Sequence, residues 1–450
     1  MPRWLYFLLV FSVLAVVLSF FYVPPMLLFI VAALGIIPLA SLIGQAVEGV
    51  AEHTGERIGG LLFATFGNAT ELIIGILALM RGLVGVVSAS IIGSVLGNLL
   101  LVLGVSLTVG GIRHGRLRFE TRPASQYASL LALSIGGLLL PTIAELFATR
   151  EHQAHVVENG IVLSDFIAVL LLIGYVASIL FSVFQIGDKV NGEDTEVEFE
   201  PLIGARSLAA ITRLMAYRRH VLQNVEAGRS GLLHQIDGAV DAIVAHDSGQ
   251  EAPDMHAAIH SEAAIQSGAA KEMVSQLLPD AHATEASEKK EHHPAPLWRS
   301  LLILLVATIG VGIISEILVD SIEPMTEMLH WNQAFVGLVF LPLIGGLPEY
   351  INTISMALDK RIGMVLSASA GSSIQIALLM APLLVLISLF APVRLDLVFS
   401  LVELAVLALA TFLFSEITKD GELVWLEGLL LILLYAIMAG TVFIFGSIQI

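Results

Sequence analysis

Two glutamates stand where the chain offers almost nothing else that is charged. "GNATELI" carries Glu71 and "GGLPEYI" carries Glu349, each inside a run apolar enough to cross a bilayer. A carboxylate at the bilayer centre costs about 2.5–3.5 kcal/mol on insertion scales and more in simulation, so something must compensate for each. A single one is readily explained as a protonated side chain bonded to a neighbouring helix; two at matching places point to a shared task. Asn68 lies three residues before Glu71 and so on the same helical face, while Ser94, Asn98, Ser372 and Gln375 follow on the next apolar segments. All are hard oxygen donors. That set suits Ca²⁺, Mn²⁺ or Mg²⁺, and neither a thiol nor clustered histidine is offered to Zn²⁺ or Cu⁺.

The backbone can add further oxygens. Pro348 removes one helical hydrogen bond and clashes with the carbonyl of Ile344, and Gly345 and Gly346 weaken the same turn. A helix broken there frees carbonyls, which a membrane tolerates only where they line a cavity. The alternatives are a plain packing kink at Pro348 and, for the Gly-Ser pairs at 93–94 and 371–372, close helix packing by small residues. Two desolvated, mutually repelling carboxylates take up protons when empty, and a divalent cation expels them. Cation and proton then compete for one site, and alternating exposure of that site gives exchange rather than leak.

The elements that must position these residues are membrane helices. Of the 450 residues 56% are hydrophobic and 14% charged, with a mean hydropathy of +0.88, far from a soluble domain. At about 20 apolar residues per span, the segments 4–22, 26–46, 58–80, 84–109, 124–146, 161–184, 298–318, 333–356, 363–390, 395–415 and 424–446 are expected to cross. The first is too long for a signal-peptide core and meets "FFYVPPM" rather than a small-residue cleavage site, so it reads as a retained helix. The absence of cysteine excludes disulfides and thiolate-held metals. A formal charge of −17 argues against a nucleic-acid partner.

The chain says the same thing twice. "IGGLLFATFGNATELI" aligns with "VGLVFLPLIGGLPEYI", Ser94 follows Glu71 at the distance that Ser372 follows Glu349, and Glu48 and Glu52 upstream find counterparts in Glu323 and Glu327. The repeat unit is five helices, and five is odd, so the second copy enters the membrane from the opposite side. Inverted repeats of this kind build two mirrored gates around a midplane site in many secondary transporters. The expected architecture is therefore an all-α polytopic membrane protein of about eleven helices. It comprises an extra N-terminal helix (1–23), a first five-helix repeat (24–187), a soluble loop (188–297) and a second repeat (298–450), with broken helices at the midplane.

Placing the N-terminus and the loop in the cytoplasm leaves only Arg81, Arg150 and Arg394 of the 22 Lys and Arg residues outside, in keeping with the positive-inside rule, and puts the C-terminus outside. The loop opens with six carboxylates between Asp188 and Glu200 in a spacing unlike a calcium-binding EF-hand. It reads as an acidic linker, with a weak cation sensor as the alternative. "ARSLAAITRLMAYRRHVL" within it spaces an apolar face for a membrane surface or a partner. Its histidines, eight of the 13 in the chain, are scattered.

"FGNATELIIGILAL", "GSVLGNLLLVLG" and "AGSSIQIALLMAPL" closely resemble the Ca²⁺/H⁺ exchanger (CAX) family of the Ca²⁺/cation antiporter superfamily, over about 24–187 and 298–446. The resemblance implies ten core helices in two inverted halves and export of cytosolic Ca²⁺, as transported substrate, against incoming H⁺, without a resident cofactor and without enzymatic activity. It implies that Glu71 and Glu349 are the central ligands and proton carriers, helped by backbone oxygens near Gly67 and Gly345 and by the polar residues of the Gly-Ser segments. A bacterial inner membrane is the expected location. The second half departs from the family's "GNAxEH": Gly346 stands for the asparagine and Tyr350 for the histidine, and Asn352, three residues after Glu349, is a candidate replacement amide. Exchange coupled to Na⁺, or of Mn²⁺ or Na⁺ against H⁺, stays open beside Ca²⁺/H⁺ exchange. A channel fits inverted repeats less well, and an intramembrane protease lacks its H-E-x-x-H motif or a histidine partner for serine chemistry. Oligomeric state is not legible.

Overall fold

The computed structural model describes residues 3–54, 62, 65–150, 156–184 and 296–445. Among them, eleven helices follow in order: α1 (Arg3–Ser19), α2 (Pro25–Thr54), α3 (Ala69–Met80), α4 (Val84–His114), α5 (Thr121–Arg150), α6 (Val156–Phe184), α7 (Leu297–Leu329), α8 (Gln333–Leu358), α9 (Ile362–Phe390), α10 (Leu401–Ile417) and α11 (Trp425–Phe445). Eight are long and apolar enough to cross a membrane; α1, α3 and α10, at 17, 12 and 17 residues, are shorter. The acidic stretch, the basic amphipathic segment and the histidines of the 188–297 loop lie outside the described residues.

One boundary differs in kind from the expected one. The span expected at 395–415 starts at Ser400, whose side chain and that of Glu403 cap α10 reciprocally. Residues 391–400 are an extended connector in which Leu395, Leu397 and Phe399 are buried at every second position. That period of two belongs to extended chain, not helix, and average apolarity conceals it. Thr142 of α5 and Ser164 of α6 satisfy the connector's backbone: Thr142 Oγ1 donates to the Leu397 carbonyl (3.2 Å) and accepts from Phe399 N–H (3.0 Å), and Ser164 Oγ accepts from Leu397 N–H (3.1 Å). Asp165 binds Arg394 through both carboxylate oxygens.

Two backbone features recur at corresponding steps from the two glutamates. Eleven residues after Glu71 comes Gly82 with φ +77°, and eleven after Glu349 comes Lys360 with φ +62°, each closing its helix in the left-handed region. α4 widens into a π-helical stretch at Gly97–Val102 and α9 at Ile376–Met380, at corresponding places in the two copies. Wide turns of this kind often mark functional positions.

Connections expected on one side of the membrane meet each other. β1 (Leu117–Arg118), after α4, pairs antiparallel with β2 (Glu422–Leu423), before α11, and Arg116 and Arg118 reach Glu422. On the other side, Arg81 after α3 pairs with Glu316 and Asp320 near the end of α7. In the middle, α4 is almost wholly enclosed. It crosses α8 at backbone contact, where a Cβ on Gly93 would run into the Leu338 carbonyl and one on Gly337 into that of Val86. The packing reading of the Gly-Ser pairs therefore holds for Gly93, whereas Gly371 has open space.

Candidate ion-binding site

The first half brings its carboxylate in on a fresh helix end. Gly67 and Asn68 form a turn, and α3 starts at Ala69 with Glu71 in its first turn. The unpaired N–H groups there favour negative charge. The Asn68 side chain does not cap this helix. Instead it crosses to the other half, where its Nδ2 donates to Gln375 Oε1 (2.9 Å) and its Oδ1 lies 3.3 Å from Ser372 Oγ. Glu71 and Asn68 are both buried, and Gly67 is exposed.

In the second half the expected break does not occur: α8 runs unbroken from Leu341 to Leu358 through Pro348, and its irregularity is the π-helical stretch Val336–Phe340 further back. A proline costs a membrane helix one hydrogen bond and a clash, which neighbouring helices can absorb. Glu349 is half-buried on this helix. Ser372 Oγ, from α9, lies 2.9 Å from Glu349 Oε1 and 3.0 Å from Oε2, sharing its proton between them. One turn before Glu349, Gly345 is the seat of the other carboxylate: a Cβ there would lie 2.9 Å from Cγ and Cδ of Glu71 and 3.0 Å from its Oε1.

The structure thus gathers Glu71, Asn68, Gly345 and Ser372, all buried, and Glu349 and Gln375, half-buried, into one cluster built from both halves. Ser94 and Asn98 are buried on α4, Asn98 within the widened turn. Glu71 Oε2 and Ser94 Oγ have no hydrogen-bond partner among the described residues. Buried polar atoms of this kind call for an explanation, and an unpartnered carboxylate oxygen inside the cluster suits a cation. Other candidates fall elsewhere: Asn352, Glu48, Glu323 and Glu327 are exposed, and Glu52's side chain is outside the described residues. Sequence reasoning noted Tyr350 only as a departure; its side chain is buried, with the ring edge over Gly346 and the hydroxyl beside Gly97. Comparing the two copies at equal steps from their glutamates would have flagged it.

A profile of sodium/calcium exchanger proteins matches residues 24–184 and 299–444, both sides of the cluster. The chain belongs to that family. A Ca²⁺/H⁺ antiporter of Aphanothece halophytica is 33% identical over 427 residues, covering 94% of this chain and 91% of that protein. The Ca²⁺/H⁺ antiporter ChaA of Bacillus subtilis is 30% identical, covering 95% and 94%. Among solved structures, native YfkE is 28% identical with a TM-score of 0.66, covering 98% of this chain and 99% of that one. The H⁺/Ca²⁺ exchanger CAX, at 13% identity and a TM-score of 0.56, shares the fold. The relatives are named for transport rather than catalysis, and this family member is likewise an integral, multi-pass membrane protein and not an enzyme.

Proposed function

We propose that the chain is a secondary antiporter that moves Ca²⁺ out of the cytoplasm against H⁺, with Glu71 and Glu349 binding either the cation or protons. The observation that carries this is the buried cluster itself, in which two carboxylates from opposite halves meet neutral oxygens of Asn68, Ser372 and Gln375. Relatives named as Ca²⁺/H⁺ antiporters over nearly the whole chain support the same reading. Ca²⁺ takes six to eight hard oxygens in flexible geometry, and this cluster is rich in them.

The mechanism rests on competition. A divalent ion neutralises both carboxylates, and two protons do the same, so either loaded form crosses the low-dielectric interior more cheaply than the empty, doubly charged one. Because each carboxylate belongs to a different half, rocking the halves exposes the pair to one side or the other. In the structure Ser372 and Asn68 tie Glu349 to the first half. Each proton moving down one pH unit supplies about 1.4 kcal/mol. Two protons across two units supply roughly 5.5 kcal/mol, enough for about a ten-thousandfold Ca²⁺ gradient if exchange is electroneutral. The N-terminus and the 188–297 loop are placed in the cytoplasm of a bacterial cell and the C-terminus outside, on the positive-inside asymmetry.

The test uses purified protein in sealed vesicles with an imposed pH step and a Ca²⁺ reporter. Proton-driven Ca²⁺ uptake should be abolished by Glu71→Gln and by Glu349→Gln. Uptake that persists in either variant rules out the two-carboxylate mechanism, and transport driven by a Na⁺ gradient instead of protons would reassign the coupling ion.

A further inference from the structure

The two half-sites are not equivalent, and the difference singles out one residue; the argument rests on the two-carboxylate reading above. In the Glu349 half the carboxylate is engaged. Ser372 donates to both of its oxygens and contacts Asn68, whose amide in turn donates to Gln375. The same steps taken around Glu71 reach other residue types. Asn68 lies three residues before Glu71, and three before Glu349 the chain has Gly346; Gln375 lies three after Ser372, and three after Ser94 it has Gly97. Neither position supplies an amide. The matching carboxylate oxygen and hydroxyl, Glu71 Oε2 and Ser94 Oγ, are the ones left without a partner.

One side chain occupies both vacated places. A Cβ built on Gly346 would lie 3.4 Å from Tyr350 Cε2 and 3.6 Å from Glu71 Oε1, so the ring edge and the carboxylate converge over this glycine. A Cβ on Gly97 would lie 3.4 Å from the Tyr350 hydroxyl. Tyr350 is 8% exposed, and its counterpart in the first half, directly after Glu71, is Leu72. The carboxylate cannot retreat the other way, because Gly345 already seats it at close contact. A packed interior yields little to expansion.

We propose that Tyr350 is a specificity-determining residue of the exchange site: its ring edge over Gly346 and its hydroxyl beside Gly97 stand where the other half has two amides, and the side chain walls the Glu71 half. The half-site then holds Glu71, with Ser94 and Asn98 buried on α4, and has little room to widen. Ca²⁺ fits such a place, while larger divalent cations, which need longer bonds and more oxygens, are disfavoured.

The test is pH-driven Ca²⁺ uptake by the full chain in sealed vesicles, with Ba²⁺ and Sr²⁺ as competitors. Tyr350→Leu, which copies Leu72, should make Ba²⁺ roughly tenfold more effective against Ca²⁺, a change of 1.4 kcal/mol. Gly346→Ala adds a methyl at 3.4–3.6 Å from the ring and from Glu71, and gains helix propensity. It should make Ba²⁺ a weaker competitor than in the native chain, so the two variants move in opposite directions. A folded variant of either kind with the native Ba²⁺ to Ca²⁺ ratio overturns the proposal, and Gly346→Ala decides alone if Tyr350→Leu does not fold. Persistent uptake in Glu71→Gln would remove the two-carboxylate reading itself; Glu71 essential with unmoved ratios removes only the role of Tyr350.

Discussion

Replacing Gly345 by alanine tests whether Glu71 is held in place by the backbone of the opposite half. The added Cβ would sit 2.9 Å from Cγ and Cδ of Glu71, against 3.4–4 Å for ordinary contact, so the carboxylate must move by about 0.5 Å or more. Glu71 is 7% exposed and has little room. Overpacking of this size costs about 1–3 kcal/mol, and at 1.4 kcal/mol per factor of ten the Ca²⁺ concentration for half-maximal uptake should rise roughly 5- to 150-fold. Alanine's helix propensity, about 0.8–1.0 kcal/mol above that of glycine, offsets part of that cost, so thermal unfolding should hold steady or fall slightly while transport falls steeply. Gly363→Ala, on α9 with nothing within 4 Å, is the control and should transport as the native chain does. Native concentration dependence in Gly345→Ala would refute the argument, because a carboxylate that tolerates the methyl is not seated where described.

Three further outcomes follow from other contacts. Ser372→Ala removes the donor that bridges Glu349 to Asn68; hydrogen bonds to charged groups contribute about 1.5–3 kcal/mol, so apparent Ca²⁺ affinity should fall roughly tenfold or more in the vesicle assay. Gly93→Ala places a Cβ 2.7 Å from backbone atoms of Leu338, which only separation of α4 and α8 can relieve. It should lower the unfolding temperature in detergent, while Gly371→Ala, with open space, should not. Thr142→Val leaves the Leu397 carbonyl and the Phe399 N–H buried and unpaired, at about 1–3 kcal/mol each, and reduced thermal stability with intact initial transport rates is the expected result.

Much of this was legible in the residues. Apolar runs of about 20 announce membrane helices because the bilayer forbids unsatisfied backbone, and the matched spacings of Glu71 with Ser94 and Glu349 with Ser372 announce an inverted repeat. The structure agrees down to the paired left-handed closures at Gly82 and Lys360. Local composition misled in two places. Leu395, Leu397 and Phe399 counted as helix because an average over apolar residues ignores their period of two, and Pro348 counted as a break because tolerance depends on neighbours the local sequence does not name.

The sequence by itself determined which residue types could meet a hard cation and that they come in two copies, since type and spacing are properties of the chain. Only the tertiary structure decided how the copies meet: that Asn68 serves Ser372 and Gln375 of the other half, that Gly345 seats Glu71, and that Tyr350 fills the volume over Gly346 and Gly97. Tyr350 and Gly346 are one turn apart on α8, but the other partners lie hundreds of residues apart in the chain. Their contact follows from the close crossing of helices from opposite halves, and side-chain volumes at such a crossing are set by both chain segments at once.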